Sequence, residues 1–253
     1  MAKRLMANEI LQMAFDEVSN APEAVGIYAW YGALYAPLAD YKRTMDENGT
    51  DLGAGRLRAV LARHLSRYQL APFRLSGRGS FGADWRGSLE DRAHGNMQDL
   101  VLGRVTPDPT DKADHGFAKS LANVSRKEPL RHLLSRALTE ASPFLEAPIY
   151  IGMTKNLRRR LDEHVARYRA IRDTVANDDE KLNELRQRAR DGLPSFAVRA
   201  IAMDFSPEHL KVYALNIEDL ARESKITSDQ MGDVATVAEW LLNRSHRPSA
   251  GRR

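Results

Sequence analysis

The sequence predicts an α+β fold, built from short strands and longer helices. Three stretches predict strands: 24–37 is rich in β-branched and aromatic residues, 144–152 is a short apolar run, and 195–205 alternates. The clearest helix is 55–70, where apolar residues recur at the 3.6-residue spacing of one helix face. Both kinds of element are therefore expected in the chain.

The remaining elements follow from weaker patterns. Residues 1–20 carry acids among their apolar residues, which predicts an amphipathic N-terminal helix and not a signal peptide. Residues 117–140 predict one or two helices. The charged stretch 156–192 predicts helix with a break near Asn177, and 229–244 predicts a last helix.

Composition limits the classes of function. The 253 residues carry a net charge of +4, a mild basic bias that permits a nucleic-acid partner without requiring one. No apolar run approaches the length that crosses a bilayer, so we expect no membrane partner. The lack of cysteine excludes disulfides and cysteine-bound zinc and fits a cytoplasmic protein.

Two segments offer arginines for contact with nucleic acid. Helix 55–70 has arginines away from its apolar face, and these form either an ordinary solvated face or a stripe for phosphates. The glycine-rich segment 76–88 predicts a flexible loop whose aromatic and arginine side chains suit base stacking and clamping. The candidates are Arg56, Arg63 and Arg67 on the helix and Arg78, Trp85 and Arg86 in the loop.

The same loop formally matches a dinucleotide-binding fingerprint. Gly77, Gly79 and Gly82 have the G-x-G-x-x-G spacing. They do not open a helix, and no strand–helix–strand unit surrounds them. A dinucleotide site is therefore not predicted.

The segment APIYIGMTKNLRRRLDEH, residues 147–164, passes directly from a strand into a helix rich in arginine. Arg158 and Arg159 stand in the first helical turn, where cations oppose the helix dipole. Arg160 and His164 are four residues apart and so share one face of the helix. A solvated first turn would explain the arginines alone, whereas a phosphate site would explain the whole pattern.

Two tripeptides lie at a defined spacing from the arginine and histidine of this segment. A Gly-Ile-Tyr motif ends at Tyr28, and a Tyr-Ile-Gly motif begins at Tyr150. Arg160 follows the second tyrosine by ten residues, His164 follows four later, and Asn156-Leu precedes the arginine. In this spacing the chain resembles the GIY-YIG endonuclease superfamily.

The resemblance implies a fold and an activity. The fold would be a small sheet of three antiparallel strands flanked by helices, and the activity would be metal-dependent hydrolysis of DNA phosphodiesters. Tyr28 would activate water with help from His164, and Tyr150 would position phosphate or water. Arg160 would stabilise the transition state, and Glu239 would bind Mg²⁺ or Mn²⁺.

The metal-binding part of the motif is incomplete. Glu239 is followed nine residues later by Pro248, as in the family, but position 251 is glycine where the family has asparagine. Asn243 is a candidate substitute, and Glu218 is a second candidate ligand in a poorer context. The departure keeps an alternative open, in which the chain is a catalytically impaired nucleic-acid-binding or scaffolding subunit.

The motif tyrosines are 122 positions apart, so a large insertion must separate two strands that pair. We expect residues 1–36 to hold the N-terminal helix and first motif strand, 37–145 to form an inserted, mainly helical subdomain, and 146–253 to complete the core. The insertion would contact DNA or dock a protein partner, and a homodimer is a further possibility. A bulky insert on a nuclease without other domains favours restriction or anti-phage defence.

Overall fold

The computed structural model describes residues 10–68, 74–80, 86–92, 97–106, 112–191, 195–221 and 226–245. The strands are β1 Ile10–Ala14, β2 Gly26–Gly32, β3 Arg74–Ser80, β4 Arg86–Arg92, β5 Tyr150–Thr154 and β6 Leu210–Asn216. The helices are α1 Leu38–Tyr41, α2 Leu52–Tyr68, α3 Met97–Leu102, α4 Lys112–Arg126, α5 Glu128–Leu145, α6 Leu157–Val175, α7 Asp179–Asp191, α8 Phe196–Ala202, α9 Ile217–Leu220 and α10 Ser228–Ser245. Short 3-10 helices occupy Phe15–Asn20 and Pro207–His209.

The chain forms two compact units. One combines Met1–Ala33 with Leu138–Arg253, and we call it the sheet unit; the other is Leu34–Ala137, which we call the inserted unit. The inserted unit overlaps most of the predicted insertion, 37–145. None of the helices in the described ranges is long and apolar enough to cross a membrane.

The sheet unit is built on a four-stranded antiparallel sheet in the order β1-β6-β2-β5. The α+β class is confirmed, whereas the expected three-stranded sheet is not what the structure has. β2 and β5, which carry the two tripeptides, pair directly despite the residues between them. Their register sets Tyr28 opposite Gly152 and Trp30 opposite Tyr150.

Different helices pack on the two faces of this sheet. Tyr28 and Trp30 point to one face, where Tyr28 meets α6 and Trp30 stacks on Phe196 of α8 at 4.3 Å between ring centroids. Side chains alternate along a strand, so Ile27 and Ala29 point to the other face. There they form an apolar core with the buried side of α10.

Two predicted elements were wrong in type. Residues 10–14 form strand β1 along β6, and not part of an N-terminal helix, because backbone pairing with a sheet edge outweighs local helix preference. Residues 196–202 form helix α8 and not a third strand. The buried members of α8 include Phe196 and Ala200, one turn apart, and the strand that follows them is β6.

Several predicted helices are confirmed. The helix predicted at 55–70 is α2, and the charged stretch divides into α6 and α7 with turn residues around Asn177. Residues 117–140 fall in α4 and α5, and the last predicted helix is α10. The strong 3.6-residue periodicity of 55–70 therefore gave the correct element, and so did three of the weaker patterns.

The inserted unit is mainly helical and also contains the antiparallel hairpin β3–β4. The loop predicted at 76–88 was wrong where these strands run, and residues 81–85 between them lie outside the described ranges. Pairing of the two arms satisfies backbone groups that a loop would leave to solvent.

A fully buried arginine stabilises the inserted unit. Arg131 of α5 donates from Nε to the Tyr41 carbonyl at 2.6 Å and from Nη1 to Asp51 Oδ2 at 2.8 Å and the Ser125 carbonyl at 2.6 Å. Only its Nη2 is buried without a hydrogen-bond partner among the described residues. Burial opposes ionisation of Asp51, but hydrogen bonds from Arg131 and two backbone amides outweigh it and lower the Asp51 pKa.

Candidate active site

A buried tyrosine–histidine pair lies at the centre of the site. Tyr28 of β2 and His164 of α6 are both almost completely buried, and Tyr28 Oη is 2.7 Å from His164 Nε2. A neutral imidazole can accept the phenolic proton at Nε2 while Nδ1 carries its own hydrogen. In that tautomer the Tyr28 hydroxyl donates its proton to His164 Nε2.

The second motif tyrosine packs beside this pair. The ring centroids of Tyr150 and Tyr28 are 6.2 Å apart in a stacked arrangement, and those of Tyr150 and His164 are 5.5 Å apart. Gly152 leaves room for the cluster, because a Cβ there would lie 2.6 Å from Tyr28 Oη. The second motif thus needs its glycine for steric reasons.

Backbone contacts orient the start of α6. Asn156 caps the helix, with its side chain accepting the Arg159 amide at 3.0 Å. The amide of Leu157 donates to the Ala24 carbonyl at 3.0 Å, which attaches the helix to the segment before β2. Gly26 permits this close approach, because a Cβ there would lie 2.5 Å from the Leu157 side chain.

Arg160 brings a positive charge to the edge of the buried pair. Its side chain is 42% exposed, and Nη1 donates to Glu163 Oε2 at 3.0 Å. It also interacts with the Tyr28 hydroxyl. Burial opposes the charged form of Arg160, but the hydrogen bonds to Tyr28 and Glu163 outweigh burial and raise its pKa.

Both members of the buried pair are neutral at pH 7. Burial, followed by the neighbouring Tyr150, raises the pKa of Tyr28, while the hydrogen bond and charge of Arg160 act in the opposite direction. Burial, followed by the charges of Arg160 and Arg167, lowers the pKa of His164 to about 3. His164 can therefore accept a hydrogen bond throughout the physiological range.

Glu239 lies on α10, which covers the sheet face opposite to that of Tyr28. It is half-buried on α10, and its negative charge contributes to raising the pKa of Tyr28. No cluster of three or more His, Cys, Asp or Glu occurs in the described ranges. A single carboxylate fits a magnesium ion whose other ligands are waters and substrate phosphate oxygens. A cation at Glu239 would reverse the sign of its effect on Tyr28.

The other residues considered for the metal site have different surroundings. Glu218 Oε1 accepts the Val25 amide at 2.9 Å, so this carboxylate anchors the start of β2. Asn243 donates from Nδ2 to the Glu239 carbonyl at 3.0 Å, one turn back along α10. Pro248 and Gly251 lie outside the described residues.

The arginines predicted at the start of α6 to contact nucleic acid have partners within the sheet unit. Arg158 donates to the Ala21 carbonyl and to Glu23, each at 2.8 Å, and Arg159 lies 3.9 Å from Glu163. Arg158 therefore attaches α6 to the segment before β2, whereas Arg159 pairs within α6 and is the more exposed of the two.

The stripe predicted on α2 is wrong at one position. Arg56 and Arg63 are exposed, but Arg67 is buried and cannot share an exposed surface with them. Arg78 lies on β3 and Arg86 on β4, where the backbone is described, and Trp85 falls outside the described ranges.

Sequence reasoning missed Arg199. This arginine is buried on α8, with its guanidinium carbon 5.5 Å from the Tyr150 ring centroid and Nη1 donating to the Ile149 carbonyl at 3.5 Å. A cation over a tyrosine face is attracted by the ring quadrupole and holds the ring in place. The wrong strand prediction at 195–205 hid it, whereas the helical spacing of Phe196 and Ala200 could have revealed it.

Comparison of the chain with protein-family models, with curated proteins and with solved structures gives no match. The geometry brings together four of the five predicted catalytic residues, which are Tyr28, Tyr150, Arg160 and His164.

The cluster has the components of a proton-transfer site. A phenol faces a neutral imidazole that can take its proton, and a half-exposed guanidinium stands beside the phenol. A guanidinium at this position can bind a phosphate oxygen in two-pronged fashion and stabilise negative charge as it develops. The arrangement therefore suits chemistry on a phosphate ester.

Proposed function

We propose that the protein is a metal-dependent DNA endonuclease that hydrolyses phosphodiester bonds by the GIY-YIG mechanism. The observation that carries the proposal is the 2.7 Å contact between Tyr28 Oη and His164 Nε2, with Tyr150 and Arg160 beside it. Tyr28 comes from a distant part of the sequence and the other three lie within residues 150–164, and a structural explanation for any one of them would not require the other three.

The proposed chemistry uses a proton relay. The Tyr28 oxygen takes a proton from the attacking water as its own proton passes to His164 Nε2. The charge of Arg160 lowers the pKa of Tyr28 and so favours this loss of its proton. Arg160 also binds the phosphate, where it stabilises the extra negative charge of the transition state. Tyr150 positions the phosphate or the water.

Glu239 would hold the Mg²⁺ or Mn²⁺ ion. When bound, the ion supplies Lewis-acid stabilisation of the leaving and non-bridging phosphate oxygens. Glu239 itself contributes one carboxylate, which leaves coordination positions for substrate. The proposal also places the enzyme in the cytoplasm, in restriction or another anti-phage defence role, with the inserted unit contacting DNA or a protein partner.

The direct test is cleavage of plasmid DNA with Mg²⁺ or Mn²⁺ against EDTA. We expect the protein to nick or linearise the plasmid only when metal is present. Tyr28→Phe removes the relay oxygen and should lower the cleavage rate by about 10²–10⁴-fold. Tyr213→Phe is the matched control, because Tyr213 is half-buried on β6 and faces the other side of the sheet. Equal rates for the two variants would contradict the role of Tyr28.

The same assay tests the metal ligand. Glu239→Ala should abolish cleavage while DNA affinity, measured separately by fluorescence anisotropy, is retained. Glu184→Ala, an exposed carboxylate on α7, should leave both unchanged. Cleavage that survives in Glu239→Ala would remove Glu239 from the metal site.

Two observations favour a second candidate function. The raised pKa of Tyr28 and the glycine at position 251 are both expected if the chain binds nucleic acid or scaffolds a complex without cleaving. In that case no metal would produce cleavage of single- or double-stranded substrates, and binding would persist in the presence of EDTA.

A further inference from the structure

Helix α6 carries six arginines, and one of them differs from the rest in its contacts. Within the described ranges, Arg167 has no side-chain hydrogen bond or ion pair, and it is exposed. Each of the other five has such a contact, and these are Arg158, Arg159, Arg160, Arg169 and Arg172. The internal contacts that explain the other five arginines therefore do not explain Arg167.

The position of Arg167 on the helix connects it with the candidate active site. Arg160, His164 and Arg167 are spaced i, i+4 and i+7, and Arg167 lies within about 20° of Arg160 around the helix axis. The charges of both arginines, after the larger effect of burial, lower the pKa of the buried His164. Arg167 is therefore close to the Tyr28–His164 pair and not on a remote side of the helix.

A nearby acid does not neutralise this charge. Glu163 is four residues before Arg167, a spacing at which an acid and an arginine can pair along a helix. Its carboxylate lies instead at Arg160, with Oε2 3.0 Å from Nη1, and at 3.9 Å from Arg159. Arg167 thus keeps a positive charge that faces solvent beside the site.

The two arginines on this side of α6 reach different places. Arg160 interacts with the Tyr28 hydroxyl, so it lies where the reacting phosphate would be held. Seven residues of helix set Arg167 about 10 Å further along the axis. That separation is larger than one phosphate group, whereas a nucleic-acid strand presents a phosphate at every nucleotide.

We propose that Arg167 binds a second backbone phosphate of the nucleic-acid strand whose reacting phosphate Arg160 holds. A guanidinium suits this contact, because its planar donors match two phosphate oxygens at once. This assignment rests on the proposed function for the position of the reacting phosphate. It goes beyond that function by naming a residue that binds the strand outside the reacting groups, in place of Arg158, which is held by Ala21 and Glu23.

Binding of a short fluorescein-labelled DNA duplex, followed by anisotropy in EDTA, tests the contact without cleavage. Arg167→Gln should weaken binding at least about tenfold at low salt, because it removes a charged hydrogen bond to phosphate. It should also lower the slope of log K against log salt by about 0.9. Arg167→Lys keeps the charge and should recover the slope and most of the affinity.

Arg169→Gln is the matched control for the loss of one positive charge. Arg169 is on the same helix, about 180° around the axis from Arg160, and it pairs with Asp16 at 2.6 Å. This variant should bind DNA within about twofold of the unaltered chain and keep its salt slope, because solvent and salt screen an exposed charge on the far side.

Cleavage kinetics separate strand binding from the reaction itself. Arg167→Gln should raise KM and leave kcat within about twofold, since it removes binding that the ground state and the transition state share. Arg160→Gln should lower kcat, because the charge that it removes lies at the reacting hydroxyl. A fall in kcat as large for Arg167→Gln as for Arg160→Gln would overturn the assignment of Arg167 to a second phosphate.

The binding results distinguish a failure of this contact from a failure of the proposed function. Cleavage by the unaltered chain, with equal affinities and salt slopes for Arg167→Gln and Arg169→Gln, would keep the nuclease and overturn the contact. Arg167→Lys binding no better than Arg167→Gln would also overturn it. Binding without cleavage, weakened by Arg167→Gln alone, would contradict the nuclease and support the contact. A chain that binds no DNA at low salt would overturn both.

Discussion

Arg131 of the inserted unit and Tyr28 of the sheet unit are both polar side chains with almost no exposed surface. Their surroundings differ in kind. Arg131 is charged, and a carboxylate and two carbonyls from its own unit accept its hydrogen bonds. Tyr28 is neutral and is paired with a neutral histidine, while the nearest cation, Arg160, is half-exposed at the edge.

The difference separates a structural cluster from a candidate reactive one. Burying a charge is tolerated when partners compensate it, and the fully buried Arg131 offers no surface to a substrate. A neutral phenol and imidazole at 2.7 Å cost less to bury and keep a hydroxyl beside a group that can accept its proton. The exposed side of Arg160 leaves its charge accessible to an anion.

The largest effect on the free energy of unfolding should come from removing Arg131 from its cluster with Asp51. Arg131→Met removes the donor for the Tyr41 and Ser125 carbonyls and the partner of Asp51, and loss of one member of a buried pair costs about 3–5 kcal/mol. Urea unfolding should show this loss in the free energy of unfolding. Arg136→Met, an exposed position on the same helix, should change it by less than about 0.5 kcal/mol. Similar values for the two variants would show that the Arg131 cluster is not structural.

Much of the candidate site could be predicted from sequence because its signals are local. The four-residue spacing of Arg160 and His164 fixed their shared helix face, and the two tripeptides indicated which strands would pair. The contact between Tyr28 and His164 followed from these two facts together. The sequence did not give the register that sets Tyr28 opposite Gly152, because register depends on the packed sheet.

The parts that sequence could not predict depend on distant partners. Arg131 contacts groups 80 and 90 residues away in the chain, so nothing near it in sequence marks it as buried. Strand β1 forms because β6 offers an open edge, against the local helical pattern. Arg199 was missed because a short apolar run does not distinguish a buried helix from a strand.

A steric change should disturb the neutral cluster by a smaller amount. Gly152→Ala sets a methyl group 2.6 Å from Tyr28 Oη and 2.8 Å from the Tyr150 ring, and such overpacking costs about 1–3 kcal/mol. Gly55→Ala is the control, because a Cβ there meets nothing within 4 Å, and alanine should stabilise α2 slightly. Thermal unfolding of the two variants should therefore shift in opposite directions, and equal shifts would mean that the space at Gly152 is not required.

The smallest effect, counted per pH unit, is a dependence of the free energy of unfolding on pH. The two clusters affect it in different pH ranges. The pKa of His164 falls from its usual value near 6.5 to about 3 on folding, so between these values the unfolded chain binds a proton that the folded chain does not. Stability from this burial is present above pH 6.5 and is lost as pH falls towards 3, with a limiting slope of about 1.4 kcal/mol per pH unit. The lowered pKa of Asp51 acts in the same direction but only below about pH 4, where the unfolded carboxyl becomes protonated.

Urea unfolding between pH 4.5 and 6.5 therefore isolates the histidine. His164→Gln keeps a hydrogen-bond acceptor for Tyr28 and cannot ionise, so its stability should vary less steeply with pH than that of the unaltered chain. The difference between the two slopes should approach the value for one bound proton. Taking this difference cancels the contributions of the other six histidines, which both chains share. Parallel slopes would mean that His164 takes up a proton as readily in the folded chain as in the unfolded one. The buried neutral pair would then not exist in solution, and the contrast between a neutral Tyr28–His164 pair and a charged Arg131 would be wrong.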